Sequence, residues 1–143
     1  MITFSGDTSC VVGRQRALKN TIQILADDFG YSINRIDYVF CDDDYLLEIN
    51  KKSLNHDYYT DIITFDYNEG NSIESEIYIS TDRVKDNAKT FDQTFHEELN
   101  RVILHGALHL VGFKDKTKKE KEKMRAMETQ YLEILKDVST WNK

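Results

Sequence analysis

Apolar and polar positions alternate in some stretches of the chain and recur at helical spacing in others. That change of period divides the sequence into elements. Residues 1–4 are mostly apolar and run into Ser5-Gly6, which predicts a first strand. Over residues 11–28, Val12, Ala17, Leu18, Ile22, Ile24 and Leu25 follow a helical stripe that Gly30 closes. Residues 33–41 alternate, with Ile36, Tyr38 and Phe40 on one side, and predict a strand. Asp42, Asp43 and Asp44 precede the apolar run of Tyr45, Leu46, Leu47 and Ile49. Acids ahead of an apolar helix predict a cap rather than a metal site, because adjacent side chains on a helix diverge. Residues 50–60 are polar and read as a helix end and a loop. Two strands, 61–67 and 76–80, flank turn chemistry at 68–72 and predict a hairpin. Thr81-Asp82 would cap a helix over 83–89. Phe95, Leu99, Val102, Ile103, Leu110 and Val111 predict a strongly apolar helix over 94–111. Met124, Met127, Tyr131, Leu132 and Leu135 predict an amphipathic one over 117–137. Trp141, in the tail, reads as a packing anchor or part of a frayed end rather than a binding platform. The expectation is a single α+β domain over residues 1–143. It would hold about four strands in a mixed sheet, packed with about five helices.

Composition narrows the class. A chain of 143 residues can bury a real core. No stretch has the length of a membrane span and no secretory signal opens the sequence, so a cytoplasmic protein with no membrane partner is expected. Cys10 and Cys41 lie far apart and read as buried thiols rather than a disulfide. The net charge of −6 argues against unspecific nucleic-acid binding, which needs phosphate neutralisation. The charge is uneven, however. Residues 114–125 hold Lys114, Lys116, Lys118, Lys119, Lys121, Lys123 and Arg125 against Asp115, Glu120 and Glu122. That segment is either a local basic surface or, more simply, a solvated helix face with pairing one turn apart.

The candidate chemistry sits at residues 105–115. His105 and His109 are one helical turn apart, on one face and ~6 Å apart along the axis. Gly112 is placed to stop the helix and let Asp115 fold back toward them. Two imidazoles and a carboxylate leave a coordination position open, the pattern of a catalytic zinc site. The plainer alternative is a pair of satisfied core or surface histidines. An almost wholly apolar helix around them, the glycine stop and the acid after it favour the metal. Gly106 stands where a zinc-peptidase helix would carry its glutamate, which weakens a peptidase reading. Glu97 and Glu98 are either partners of a ligand histidine or ordinary polar positions, and His96 reads as surface or cap. His56-Asp57 is either an acid–base pair or a turn, and Tyr58 and Tyr59 either stack on bases or pack over the sheet edge.

The run His105-Gly-Ala-Leu-His109-Leu-Val-Gly112-Phe resembles the signature of the YbeY family, bacterial metallo-endoribonucleases of rRNA maturation. The segment from Ile49-Asn50 through Asn55-His56-Asp57 to Thr60-Asp61-Ile62-Ile63-Thr64-Phe65 is similar to its second block, and Ile77-Tyr78-Ile79-Ser80 to its third. The resemblance covers most of the chain and supports the α+β fold. It implies a metal-dependent, single-strand-specific endoribonuclease acting at the 3′ end of small-subunit rRNA and in ribosome quality control. The metal would be one zinc, or another divalent ion, on His105, His109 and Asp115, which are thereby the catalytic residues. The implied partners are rRNA and the small subunit, with ribosomal proteins or a GTPase. It places the loop of His56 and Asp57 near the metal cleft, so these two and Arg83 are candidates for substrate contact. Three positions depart from the pattern. Asp115 replaces the usual third histidine, which makes the site harder and richer in oxygen. Tyr59 replaces a proline. Leu54 replaces an arginine of the active-site cleft, whose charge Lys51, Lys52, His56 or Arg83 would have to supply. Two rivals stay open: a zinc hydrolase of another substrate, such as a peptidase, and a ribosome-assembly factor whose metal is mainly structural.

Overall fold

The computed structural model describes residues 1–137; the tail with Trp141 lies outside the described residues. The elements run β1 (Ile2–Gly6), a short 3-10 helix (Thr8–Val11), α1 (Gln15–Asp28), β2 (Ser32–Cys41), α2 (Asp43–Leu54), β3 (Ile62–Asp66), β4 (Ser72–Ser80), α3 (Thr81–Thr90), α4 (Phe95–Leu110) and α5 (Lys118–Lys136). The four strands form one mixed sheet in the order β1-β2-β4-β3. β1, β2 and β4 are parallel, and β3 returns antiparallel along β4 as the hairpin expected from its turn residues. This is the α+β architecture that the pattern predicts.

Strand alternation decides which side chains meet the helices. Ile36, Tyr38 and Phe40 of β2 and Ile73, Ile77 and Ile79 of β4 are buried in one core. Leu18, Ile22 and Leu25 of α1, Leu99, Ile103 and Leu104 of α4, and Met124, Tyr131 and Leu135 of α5 close over them. Leu46 of α2 and Ile63 of β3 are buried apart from that cluster. Tyr38 ties sheet to helix, its hydroxyl donating to the Ile103 carbonyl at 3.0 Å. Gly106 lets α4 approach this closely. A methyl group there would come within 3.0 Å of Ile62 Cδ1 and 3.2 Å of Ile77 Cδ1.

Three expected boundaries move. The first helix begins at Gln15, not at residue 11: Asp7 caps the preceding 3-10 turn. Gly13, with φ of +77°, turns the chain between the two, and Val12 is 72% exposed. β4 starts at Ser72, because Ser72–Ser75 pair with β2 although the polar side chains of Ser72, Glu74 and Ser75 hide the strand. α3 starts at Thr81 and its cap is Ser80, whose hydroxyl accepts from the Arg83 N–H at 3.1 Å. The acidic run behaves as read: Asp42 caps α2 by accepting from the Tyr45 N–H at 2.8 Å.

Candidate metal centre

The end of α4 builds the site. The Gly112 N–H reaches the His109 carbonyl at 3.1 Å and the Phe113 N–H reaches Leu108 at 3.1 Å, a Schellman arrangement with Gly112 at φ of +102°. The chain then doubles back and carries Asp115 to the two histidines. His105 Nε2 and His109 Nε2 are 3.0 Å apart, and Asp115 Oδ2 lies 3.1 Å from the first and 3.4 Å from the second. His105, His109 and Asp115 each offer one ligand atom to this cluster.

Proton placement tests whether these residues fit a metal. His105 Nδ1 is 2.6 Å from Glu128 Oε2, and His109 Nδ1 is 2.9 Å from the Phe113 carbonyl oxygen. Carboxylate and carbonyl oxygens only accept, so both Nδ1 atoms carry hydrogen, and in a neutral ring Nε2 is then a bare lone pair. Two lone pairs and a carboxylate oxygen converging at this range repel unless a proton or a metal cation stands among them. Ligand atoms of a tetrahedral zinc site are roughly 3.3 Å apart, given bonds near 2.0 Å. The observed separations of 3.0 to 3.4 Å match that.

The surroundings hold this arrangement. Glu128, buried on α5, spans two partners: Oε2 takes His105 and Oε1 takes Arg101 Nη1 at 2.8 Å. Burial opposes charge on His105. The Glu128 hydrogen bond and the charges of Glu128, Asp115 and Asp61 outweigh it, and the ring's pKa rises above its ordinary 6.5. Asp61 stands nearby as a half-buried carboxyl whose pKa that burial raises, against the pull of His105 and of local backbone N–H groups. Its Oδ2 accepts from Asn87 Nδ2 at 3.3 Å. Glu128 and Asp61 are absent from the sequence-based site. Glu128 did leave a signal: it is an acid on the buried face of α5 that also holds Met124, Tyr131 and Leu135. Asp61 left only its place at the start of the predicted strand 61–67, within the segment similar to the family's second block. Glu97, weighed as a histidine partner, instead closes the α4 capping box with Thr94. Glu98 is buried, and its pKa is raised by that burial and by the charge of Asp61.

A cleft of about 530 Å³ opens on His105, His109 and Asp115. Asn50, Leu54, His56, Tyr58, Asp61 and Asp66 are among its walls. His56 is therefore brought beside the histidine cluster. Its ring stacks on Tyr58 at 5.1 Å between centroids, with Tyr58 Oη 2.9 Å from His56 Nδ1. Asp57 points elsewhere: its side chain is 80% exposed and pairs with Lys51 Nζ at 3.6 Å. Arg83 is held away by Asp43 at 2.9 Å and lies over the Tyr59 ring. Of the four residues weighed as substitutes for the charge missing at Leu54, only His56 lines the cleft. His96 sits outside the cluster, 2.6 Å from Arg14 Nη1.

The fold and site have known counterparts. The family model described as Endoribonuclease YbeY matches residues 9–136. A protein of Cytophaga hutchinsonii named Endoribonuclease YbeY is 48% identical over 134 residues, 93% of this chain and 94% of that protein. One of the same name from Christiangramia forsetii is 44% identical, covering 93% of each. A Thermotoga maritima protein solved in solution superposes with a TM-score of 0.67 at 26% identity, over 94% of this chain and 89% of that one.

Proposed function

This chain belongs to the YbeY endoribonuclease family, and from that premise we propose that it is a metal-dependent, single-strand-specific endoribonuclease of rRNA maturation. Its substrate on this reading is the 3′ end of small-subunit rRNA, with a second duty in ribosome quality control. The observation that carries the metal-dependent part is the convergence of His105 Nε2, His109 Nε2 and Asp115 Oδ2 at the open face of a cleft. The metal proposed for this donor set is zinc, with other divalent ions as substitutes. Held there, it would supply Lewis acidity and a lowered water pKa for cleavage of a phosphodiester.

The chain's own groups do the rest. Glu128 and the Phe113 carbonyl keep both Nδ1 atoms protonated, so that both Nε2 atoms face the cleft as donors of electron pairs. Asp115 brings the negative charge that a third imidazole would not. Asp61, held in the wall with its pKa raised, keeps a proton more readily than an exposed aspartate. His56 and Tyr58 offer a stacked pair of rings at the mouth, a surface on which an unpaired base can rest and a duplex cannot. The peptidase rival lacks support at Gly106, where the packing against Ile62 and Ile77 has no space for a glutamate side chain.

No described helix is long and apolar enough to cross a membrane. We place the protein in the cytoplasm on the small ribosomal subunit, with ribosomal proteins or a GTPase as partners. The test uses one RNA sequence presented single-stranded and as a duplex, with EDTA and then with zinc restored. The expected result is cleavage of the single strand alone, abolished by EDTA and recovered with zinc. Bound metal without RNA cleavage would replace this reading with that of an assembly factor carrying a structural metal.

A further inference from the structure

The cleft described above contains a contradiction for an enzyme that acts on RNA. Among the described residues its walls include no lysine or arginine, and they carry Asp61, Asp66 and Asp115. A polyanion gains affinity from phosphate neutralisation, and these walls supply the opposite sign. The obvious cations are committed elsewhere. Arg83 is paired with Asp43, Lys51 with Glu48 and Asp57, and Arg101 with Glu128.

The edge formed by His105 and Asp115 has a second side. Two smaller hollows, of about 320 and 290 Å³, open on the same two residues and on Glu128. Arg125 lines both, and Lys121 lines one of them. These residues are one turn apart on α5 and share a face. Both are exposed, and neither is in a salt bridge among the described residues. The hollow that Arg125 lines without Lys121 also holds Glu98, whose pKa is raised by burial and then by the charge of Asp61. The histidine edge thus has stacked rings on one flank and, on the other, two exposed cations outside any salt bridge among the described residues, beside Glu98 and Glu128.

Resting on the endoribonuclease reading, we propose that the RNA backbone crosses this edge and that Arg125, assisted by Lys121, grips a phosphate on its α5 side. An unpaired base lies against His56 and Tyr58 in the cleft, and the scissile phosphate sits between the two flanks. The guanidinium of Arg125 suits this role because its donors match two phosphate oxygens at once. The basic run at residues 114–125 then has a function on one face only. Lys119, on another face of α5, takes no part.

The experiment uses the full chain with Arg125→Ala, Lys121→Ala, the double substitution, Arg125→Lys, and Lys119→Ala as a charge-matched control. Zinc content is measured on every sample. A short fluorescein-labelled single-stranded oligoribonucleotide reports binding to zinc-free protein across a salt series, and cleavage after zinc is added. Arg125→Ala should weaken binding and raise KM by about tenfold, with kcat and zinc content near wild type. Its slope of log affinity on log salt should fall by about 0.7. Arg125→Lys should keep the salt slope of wild type but recover only part of the affinity, and Lys119→Ala should match wild type. If wild type binds and cleaves while the double variant keeps its affinity and slope, the phosphate grip is overturned and the endoribonuclease reading stands. An equal loss in Lys119→Ala would also overturn it, by showing an effect of net charge alone. If wild type itself neither binds nor cleaves RNA, the endoribonuclease reading fails and the grip falls with it.

Discussion

Glu128 is the residue on which the geometry of the site turns. It is buried, accepts from His105 Nδ1 at 2.6 Å, and is neutralised by Arg101. Glu128→Gln keeps an acceptor for the ring but loses the charge that raises the basicity of His105, the proposed ligand. Its metal affinity should fall roughly ten- to a hundredfold with the fold intact. Competition against a chromophoric chelator reads this directly, and an affinity equal to wild type would remove Glu128 from the site. The two thiols make a separate statement about local environment. Burial, and then the charge of Asp7, pushes Cys10 up to about 11; burial, and then Asp42, pushes Cys41 up to about 12. Thiols that stay protonated at neutral pH are poor nucleophiles. Both thiols are free but only half-buried, not fully buried as expected; alkylation at pH 8 should still be slower in the native protein than once it is unfolded, and equal rates would contradict the raised pKa values. At this scale the sequence was legible where residues shared a short motif. His105, His109 and Asp115 lie within one turn and a loop, so spacing alone could join them. Glu128 and Asp61 come from other elements, and only the fold brings them to His105.

The elements owe their limits to capping as much as to periodicity. Thr94 and Glu97 form a reciprocal box at the start of α4, and Thr117 and Glu120 form another at the start of α5. Thr94→Ala should cost about 1 kcal/mol of stability, measurable as a lower urea midpoint. An unchanged midpoint would mean that the box is replaced by solvent at no cost. These boxes also depend on pH. Hydrogen bonds from Thr94 lower the pKa of Glu97, and those from Thr117 and Lys116 lower that of Glu120, each from 4.5. A carboxyl with a lowered native pKa stabilises the fold fully above its unfolded value, and loses that contribution as pH falls through the native one. Wild type should thus lose stability in acid below about pH 4.5, and Thr94→Ala should lose less of it over the same range. Periodicity found α4 and α5 because their apolar stripes are long and uninterrupted. It overextended the first helix because Val12 fits the stripe, although Gly13 turns the chain before Gln15. It shortened β4 because Ser72, Glu74 and Ser75 are polar, yet their backbones pair in the sheet all the same.

The whole molecule is arranged so that one helix end faces one sheet edge. β3 lies at the margin of the sheet, and α4 crosses it through Gly106, so the histidine turn emerges beside Asp61 and the His56 loop. The fold class was legible because alternation and helical spacing each changed cleanly along the chain. The strand order was not: β4 pairs locally with β3 as the turn residues predict, but its other edge pairs with β2, remote in sequence, and no local pattern encodes that. A ligand bound only by the folded chain stabilises it by mass action, about 2.7 kcal/mol when the ligand stands at a hundred times its Kd. Zinc at that excess should raise Tm by several degrees in wild type and leave His109→Ala unmoved, as seen by calorimetry. Equal shifts in both proteins would place the binding elsewhere.

The most direct measurement is zinc content and single-stranded RNA cleavage on the same sample, for wild type and His109→Ala. One zinc per wild-type chain is expected, with metal and cleavage lost together in the variant. Cleavage that persists in a metal-free His109→Ala protein, or a folded wild type that takes up no zinc when it is offered, would contradict this expectation.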